Sequence, residues 1–341
     1  MDTIMLRCLL FALLALLPLG CGDTPASPQT ASKPVQFGED RVPKPGDPTP
    51  VADEKFDGER CLKYLKQICD IGPRVSGSEG MTKQIELLTK HFEDLGGKVA
   101  KQEFQGKQKS RREAVAMTNL IVSWFPERKN RVILSAHYDT RPHADQEGNR
   151  ANWNKPFLSA NDGGTGIALF MELANYMKDL PTGVGVDFVL FDGEEYIFTG
   201  PDGTDKFFLG SEHFAAEHIK NAKASGIKYL AAINYDMVGH TGASLRVEGH
   251  SWDNAPQLVL EVWKMAEAMK AKSFVLTRGF HRGMYVSDDH VSLHAAGIPA
   301  IDVIDFDYDH WHKLSDTPDK CSATQLSEVG RVTLAWLKRK K

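Results

Sequence analysis

From about residue 55 onward, apolar residues recur with one of two periods. Leu62, Leu65, Ile68 and Cys69 share one side of a predicted helix over Phe56–Ile71, which Gly72-Pro73 stops. Ile85, Leu88, Phe92 and Leu95 stripe a second helix over Glu79–Leu95, ended by Gly96-Gly97. Strands are expected at Lys98–Glu103, Asn119–Phe125 and Arg131–Ala136, then at Val186–Phe191, Tyr229–Asn234, Leu245–Glu248 and Ala300–Ile304. Further helices are expected at Thr165–Met177, Pro256–Ala271, Asp288–Ala296 and Ala323–Arg339. Runs such as Val132–Ala136 and Phe188–Phe191 are apolar without alternation, as in strands covered on both faces. Helices interleaved with such strands predict an α/β fold, a three-layer α/β/α sandwich around a mixed, mostly parallel sheet. No internal repeat is visible.

The first 54 residues follow a different rule. Arg7 precedes an apolar run, Cys8–Leu19, too short to cross a bilayer comfortably, and this predicts a signal peptide over residues 1–20. Pro18-Leu19-Gly20-Cys21 resembles a bacterial lipobox, so Cys21 is the expected lipidation site; ordinary cleavage nearby is the alternative. Residues 21–54 hold seven of the 17 prolines and almost no apolar periodicity, the composition of an unfolded tether. The expected product is an exported lipoprotein of the bacterial cell envelope, facing periplasm or exterior and held to a membrane by lipid.

Charge narrows the function classes. With 41 basic against 45 acidic residues the net charge is −4, so a nucleic-acid partner is not expected. Cys61, Cys69 and Cys321 are an odd set and not a disulfide framework. Cys61 and Cys69 lie about 12 Å apart along one helix and cannot bridge each other; a pair involving Cys321 stays open.

Five polar segments sit where strands end. His137-Tyr138-Asp139, Asp192-Gly193-Glu194-Glu195 and Asp236 each follow an apolar strand, Trp311-His312 follows another after a short loop, and Asn161-Asp162-Gly163-Gly164 opens a helix. In open α/β sheets ligands bind at the carboxyl ends of strands. His, Asp, Glu, Asp and His gathered there supply nitrogen and carboxylate donors suited to zinc. Any one of these residues alone is more simply a turn cap. Asp139, two residues beyond His137, projects to the same side and is expected to orient the imidazole, or else to cap a turn. Of the adjacent Glu194 and Glu195, one can bind metal while the other serves as general acid and base. Asp288-Asp289-His290 opens a predicted helix, and its simplest role is N-capping. No Gly-x-Ser-x-Gly, phosphate loop or dinucleotide fingerprint is present.

The segments HYDTRPHAD (137–145), NDGGTGIALFMELA (161–174), FDGEEY (191–196), LGSEHFA (209–215), NYDMVGH (234–240), DDHVSLHAAGIPAIDVI (288–304) and HWHKLSDTPD (310–319) resemble the zinc aminopeptidase and glutaminyl cyclase family, metallopeptidase family twenty-eight. GPRVSGSEG at Gly72–Gly80 resembles its early segment, and the likeness covers about residues 55–341 as one catalytic domain. It implies Asp162, Glu195 and His312 as ligands of one zinc in a cyclase, with His137 and Asp236 completing a second site in a two-zinc aminopeptidase. Two details resemble cyclases. Asp288-Asp289-His290 stands where aminopeptidases usually carry Ser-Asp-His, and Trp311 directly precedes the last histidine. The resemblance implies Glu194, Asp288 and Asp236 as a hydrogen-bonded catalytic carboxyl network, and Trp311 as a wall of the substrate pocket. Animal cyclases also carry a Trp shortly after the Glu-Glu pair. Here Gly200 or a near neighbour stands instead, and the pocket is expected either to draw its aromatic surface from other residues, such as Phe198 or Phe207, or to be more open.

The function these features imply is zinc-dependent cyclisation of N-terminal Gln on peptides or proteins to pyroglutamate, by a tethered monomer. The alternatives are a zinc aminopeptidase of the same family and a surface binding lipoprotein without catalysis.

Overall fold

The computed structural model describes residues 54–199, 203–276 and 284–341. The predicted signal peptide, Cys21, nearly all of the tether and Gly200 lie outside the described residues.

The described residues form eight strands and eight α-helices: α1 Gly58–Cys69, α2 Glu79–Asp94, β1 Lys98–Gly106, β2 Val115–Trp124, β3 Asn130–His137, α3 Thr165–Met177, β4 Gly185–Phe191, α4 Leu209–Ser225, β5 Lys228–Asp236, β6 Leu245–Arg246, α5 Gly249–Asn254, α6 Pro256–Ala268, β7 Phe274–Val275, α7 Asp289–Ala295, β8 Ala300–Ile304 and α8 Ala323–Lys338. Six strands form the main sheet in the order β1-β2-β4-β3-β5-β8. β4, β3, β5 and β8 run parallel, while β1 and β2 add an antiparallel edge.

The all-apolar strands are buried on both faces, and the pleat divides their side chains between two cores. Val132, Leu134 and Ala136 of β3 join the large core beneath α1, α2, α3, α6 and α8. Ile133, between them, joins Val189, Phe191, Phe214, Ala232 and Leu293 on the face covered by α4 and α7. This is a three-layer sandwich. Local chemistry sets the ends of several helices. Asp57 caps α1 by accepting from the Arg60 N–H at 2.9 Å, and Ser78 caps α2 from Met81 at 3.2 Å.

Some boundaries differ from the sequence reading. Helix α4 and the short α5 and β7 carry too weak a pattern to be read from the sequence: α4 is amphipathic only over Phe214 and Ala215, its other buried positions being Gly210 and Ser211. The strand expected over Leu245–Glu248 lasts two residues, because Glu248 turns out of it to cap α5 by accepting from the His250 and Ser251 N–H groups. β1 and β2 each extend toward the other, giving a nine-pair antiparallel register from Lys98–Ser123 to Gly106–Val115. Cys61, Cys69 and Cys321 are buried free thiols.

β3 lies between β4 and β5, so the connections leaving β3 and β4 pass to opposite sides of it. That is a topological switch point, where a crevice opens at the carboxyl ends of the strands.

Candidate metal and catalytic site

Every candidate segment reaches this crevice. His137 ends β3 and Asp236 ends β5; the 192–195 turn leaves β4, the loop before α3 carries Asp162, and His312 lies in the loop beyond β8. Possible ligand atoms of Asp162, Glu195 and His312 all lie within 4.8 Å of one another, and so do those of His137, Asp162 and Asp236. Asp162 belongs to both groups. Its carboxylate lies 3.1 Å from His137 Nε2 through Oδ1 and 3.5 Å from His312 Nε2 through Oδ2. His137 Nε2 is 3.3 Å from Asp236 Oδ1.

The backbone is shaped to allow this convergence. Gly163 has φ +71°, and a Cβ there would stand 2.7 Å from the Asp139 carbonyl oxygen and 2.9 Å from the His137 ring. Only glycine fits without displacing the site. His312 and Met237, which follows Asp236, are held at φ 52° and 50°, a left-handed conformation that costs a non-glycine residue about 1–2 kcal/mol. This local strain sits at the ligand loops, as it does at many functional sites.

A layer of hydrogen bonds fixes the turns. Of the two roles expected of Asp139, orienting His137 or capping a turn, its hydrogen bonds match the second. Its oxygens accept from the Glu194 and Glu195 N–H groups, each at 3.1 Å, and Oδ1 stands 3.6 Å from His137 Nδ1, beyond hydrogen-bond length. It therefore holds the Glu-Glu turn. Asp316 accepts from the Asn161 and Asp162 N–H groups at 2.9 and 3.2 Å and from the Tyr308 hydroxyl at 2.6 Å. Asp145 Oδ1 lies 3.0 Å from His312 Nδ1. Neither Asp316 nor Asp145 was singled out from the sequence, although both lie inside the quoted motifs; only the folded chain shows what they touch. Arg74, fully buried, donates to the Leu158 and Ser159 carbonyls at 2.6 and 3.0 Å, and Ser76 donates to Asp192 at 2.6 Å. The early Gly72–Gly80 segment thus latches two of the site loops.

The site crowds buried carboxyls. Burial, reinforced by Glu195, Asp288 and Asp289, pushes Glu194 well above the usual carboxylate range against the opposing charge of His137. Burial and Asp162 and Glu195 nearby push Asp236 up to about 6, although His137 opposes the shift. Asp288 is likewise pushed up to about 6, by burial and then by Asp236. For Glu195 burial acts upward, but His312 and Arg141 outweigh it and hold the group below its ordinary value. Asp288 also caps α7, donating no bond but accepting from the Asp289 N–H at 2.5 Å through Oδ1. Its capping role is real, and its Oδ2 remains buried without a partner among the described residues.

Asp162 Oδ2 and Glu195 Oε2 are also buried without a hydrogen bond. Orphaned carboxylate oxygens converging with an imidazole are costly in this arrangement and fit a divalent cation. The mixed nitrogen and oxygen donor set is that of zinc. Trp311 packs its ring 3.9 Å from the His312 ring and 5.5 Å from that of Phe306. Of the two aromatics named for the pocket, Phe207 is 36% exposed and its ring lies 5.5 Å from the Arg141 guanidinium. Phe198 is instead covered by Arg111 at 3.7 Å.

Comparison with known proteins gives the same picture. The crystal structure of Fimbriiglobus ruber glutaminyl cyclase is 55% identical with a TM-score of 0.83, covering 87% of this chain and 100% of that one. A leucine aminopeptidase precursor from Bacteroides thetaiotaomicron is 30% identical with a TM-score of 0.77, covering 85% and 100%. Aminopeptidase YwaD of Bacillus subtilis is 27% identical over 60% of this chain, which spans only 40% of that protein's length. The profile of peptidase family M28 matches residues 119–337, a span that opens in β2, carries every candidate ligand and ends in α8, and the chain accordingly belongs to peptidase family M28.

Proposed function

We propose that this protein is a glutaminyl-peptide cyclotransferase that converts N-terminal Gln of peptides or exported proteins to pyroglutamate with release of ammonia. The observation that carries the reading is Asp288. A helix cap needs only a small polar side chain such as Ser. This position instead holds a carboxyl group, buried beside Asp236 and Glu194, that raises the cost of the site without improving the cap. A proton network is a reason to keep it. Kinship with a glutaminyl cyclase over nearly the whole domain supports the same reading.

Asp162, Glu195 and His312 would hold the zinc. When bound, that ion would polarise the γ-amide carbonyl of the substrate and favour negative charge on its oxygen. The remaining steps belong to side chains. Glu194 takes a proton from the α-amine as its nitrogen bonds to the amide carbon, and returns a proton to the amide nitrogen as the old carbon–nitrogen bond breaks and ammonia leaves. Asp236 and Asp288 would share protons with it, because buried carboxyls that raise one another do not all ionise together. Trp311 walls the pocket and keeps out water, whose attack on the same carbon would give Glu instead of the ring.

The zinc aminopeptidase reading keeps one specific observation in its favour, the second ligand group of His137, Asp162 and Asp236. One experiment separates the two. The zinc-loaded protein is given a Gln-initiated and a Leu-initiated peptide, and both are followed by mass spectrometry. Ammonia loss from the Gln peptide alone supports the cyclase; release of the first residue from the Leu peptide overturns it. The proposal includes export and lipid anchoring at Cys21, supported by the sequence of residues 1–21. Radiolabelled palmitate incorporation that survives Cys21→Ser would refute the anchor.

A further inference from the structure

We propose that Arg141 is a positioning residue that fixes the zinc ligand His312 through Asp145 and faces a second ligand, Glu195, as an ion pair. The argument rests on the reading of Asp162, Glu195 and His312 as the zinc ligands.

Arg141 is 5% exposed in the loop after β3. Its Nε and Nη2 both donate to Asp145 Oδ2, at 3.0 and 2.7 Å. The other oxygen of that carboxylate, Oδ1, faces His312 Nδ1 at 3.0 Å. Asp145 is therefore fixed from one side by the guanidinium fork and spends its second oxygen on the imidazole. An Nδ1–H bonded to a carboxylate leaves the Nε2 lone pair free toward the site. The third guanidinium nitrogen, Nη1, is buried with no hydrogen-bond partner and lies 3.6 Å from Glu195 Oε1. Phe207 lies over the same guanidinium at 5.5 Å.

Charge alone gives the opposite expectation to positioning. A cation this near a divalent ion repels it, so removing Arg141 would tighten zinc if charge were its whole effect. If the fork sets ligand geometry, removing it loosens zinc, by the 10–100-fold typical of partners that orient metal ligands. Lys separates the two, because it keeps the charge but cannot present two parallel N–H groups to one carboxylate.

The test is a competition titration of full-length protein for zinc against a chromophoric chelator, with cobalt(II) spectra of the same variants. R141M and R141K should each raise the zinc Kd about 10–100-fold and alter the cobalt d–d bands. Asp145→Asn, which keeps the shape and breaks the ion pair, should do the same and serves if an Arg141 variant fails to fold. Wild-type affinity in R141K, or tighter zinc in R141M, overturns the proposal. His312→Ala is the control. If it leaves zinc binding unchanged, the ligand assignment itself fails; if it weakens zinc while the Arg141 and Asp145 variants do not, only the role of Arg141 fails.

Discussion

Replacing Asp288 by Ser should separate stability from activity in opposite directions. Ser accepts from a helix N-terminal N–H about as well as Asp, so α7 keeps its cap to within a few tenths of a kcal/mol. Stability should not fall. The carboxyl is buried and pushed up to about 6, roughly 2 units above an unfolded Asp, which amounts to ~3 kcal/mol against the folded state once the group ionises. The sign follows from linkage. A raised folded value means the folded state binds more protons, so stability falls as pH rises from about 4 through about 6. D288S removes that loss, and at pH 7.5 it should be as stable as the wild type or up to ~3 kcal/mol more stable. Turnover should move the other way. Loss of a group from a general acid–base network typically costs 10²–10⁴-fold, or about 3–5 kcal/mol of barrier. The assay pairs ammonia release from a Gln-initiated peptide with urea unfolding at pH 5 and 7.5. Turnover within threefold of wild type would refute the proton-network role. A variant less stable by 2 kcal/mol at pH 7.5 would refute the account of the buried charge.

Glu194→Gln should retain zinc, measured by metal analysis, and lose 10²–10⁴-fold in turnover, because only the proton shuttle is removed; near-full activity would reassign the shuttle. Asp187→Ala should cost about 3–5 kcal/mol in urea unfolding, because it strands Arg131, whose Nε and Nη2 bond that carboxylate at 2.8 and 2.6 Å in a site where both side chains are 2% exposed. A loss below 1 kcal/mol would mean that the backbone carbonyls around Arg131 suffice. Cys61, Cys69 and Cys321 should resist iodoacetamide in the native protein and react in denaturant, since burial raises all three thiols and the thiolate is the reactive form; fast native labelling of any of them would contradict its burial.

Much of this protein is legible in its residues. Two-sided burial writes itself into β3 and β4 as unbroken apolar runs, because every position of such a strand meets a core. The amphipathic stripes of α1 and α2 and the glycines after them are equally local. So is the placement of polar residues at strand ends, which points to a crevice before any coordinate is known. Other features depend on contacts distant in sequence. Helix α4 offers the core little beyond Phe214, so only its seat against α7 and the sheet makes it visible. Glu248 could have continued a strand; the N–H groups of His250 and Ser251 turn it into a cap. Asp139 lies two residues from His137, yet it bonds a turn more than fifty residues away. Asp145 reaches an imidazole 167 positions along the chain, and Arg141 gains its meaning from that pairing. Periodicity and turn chemistry are written in neighbouring residues, so the sequence by itself determines the layers and the edge where chemistry gathers. Which acid holds a ligand, which caps a helix and which carries a proton depends on distances of three ångströms between residues far apart in the chain, and only the tertiary structure decides them.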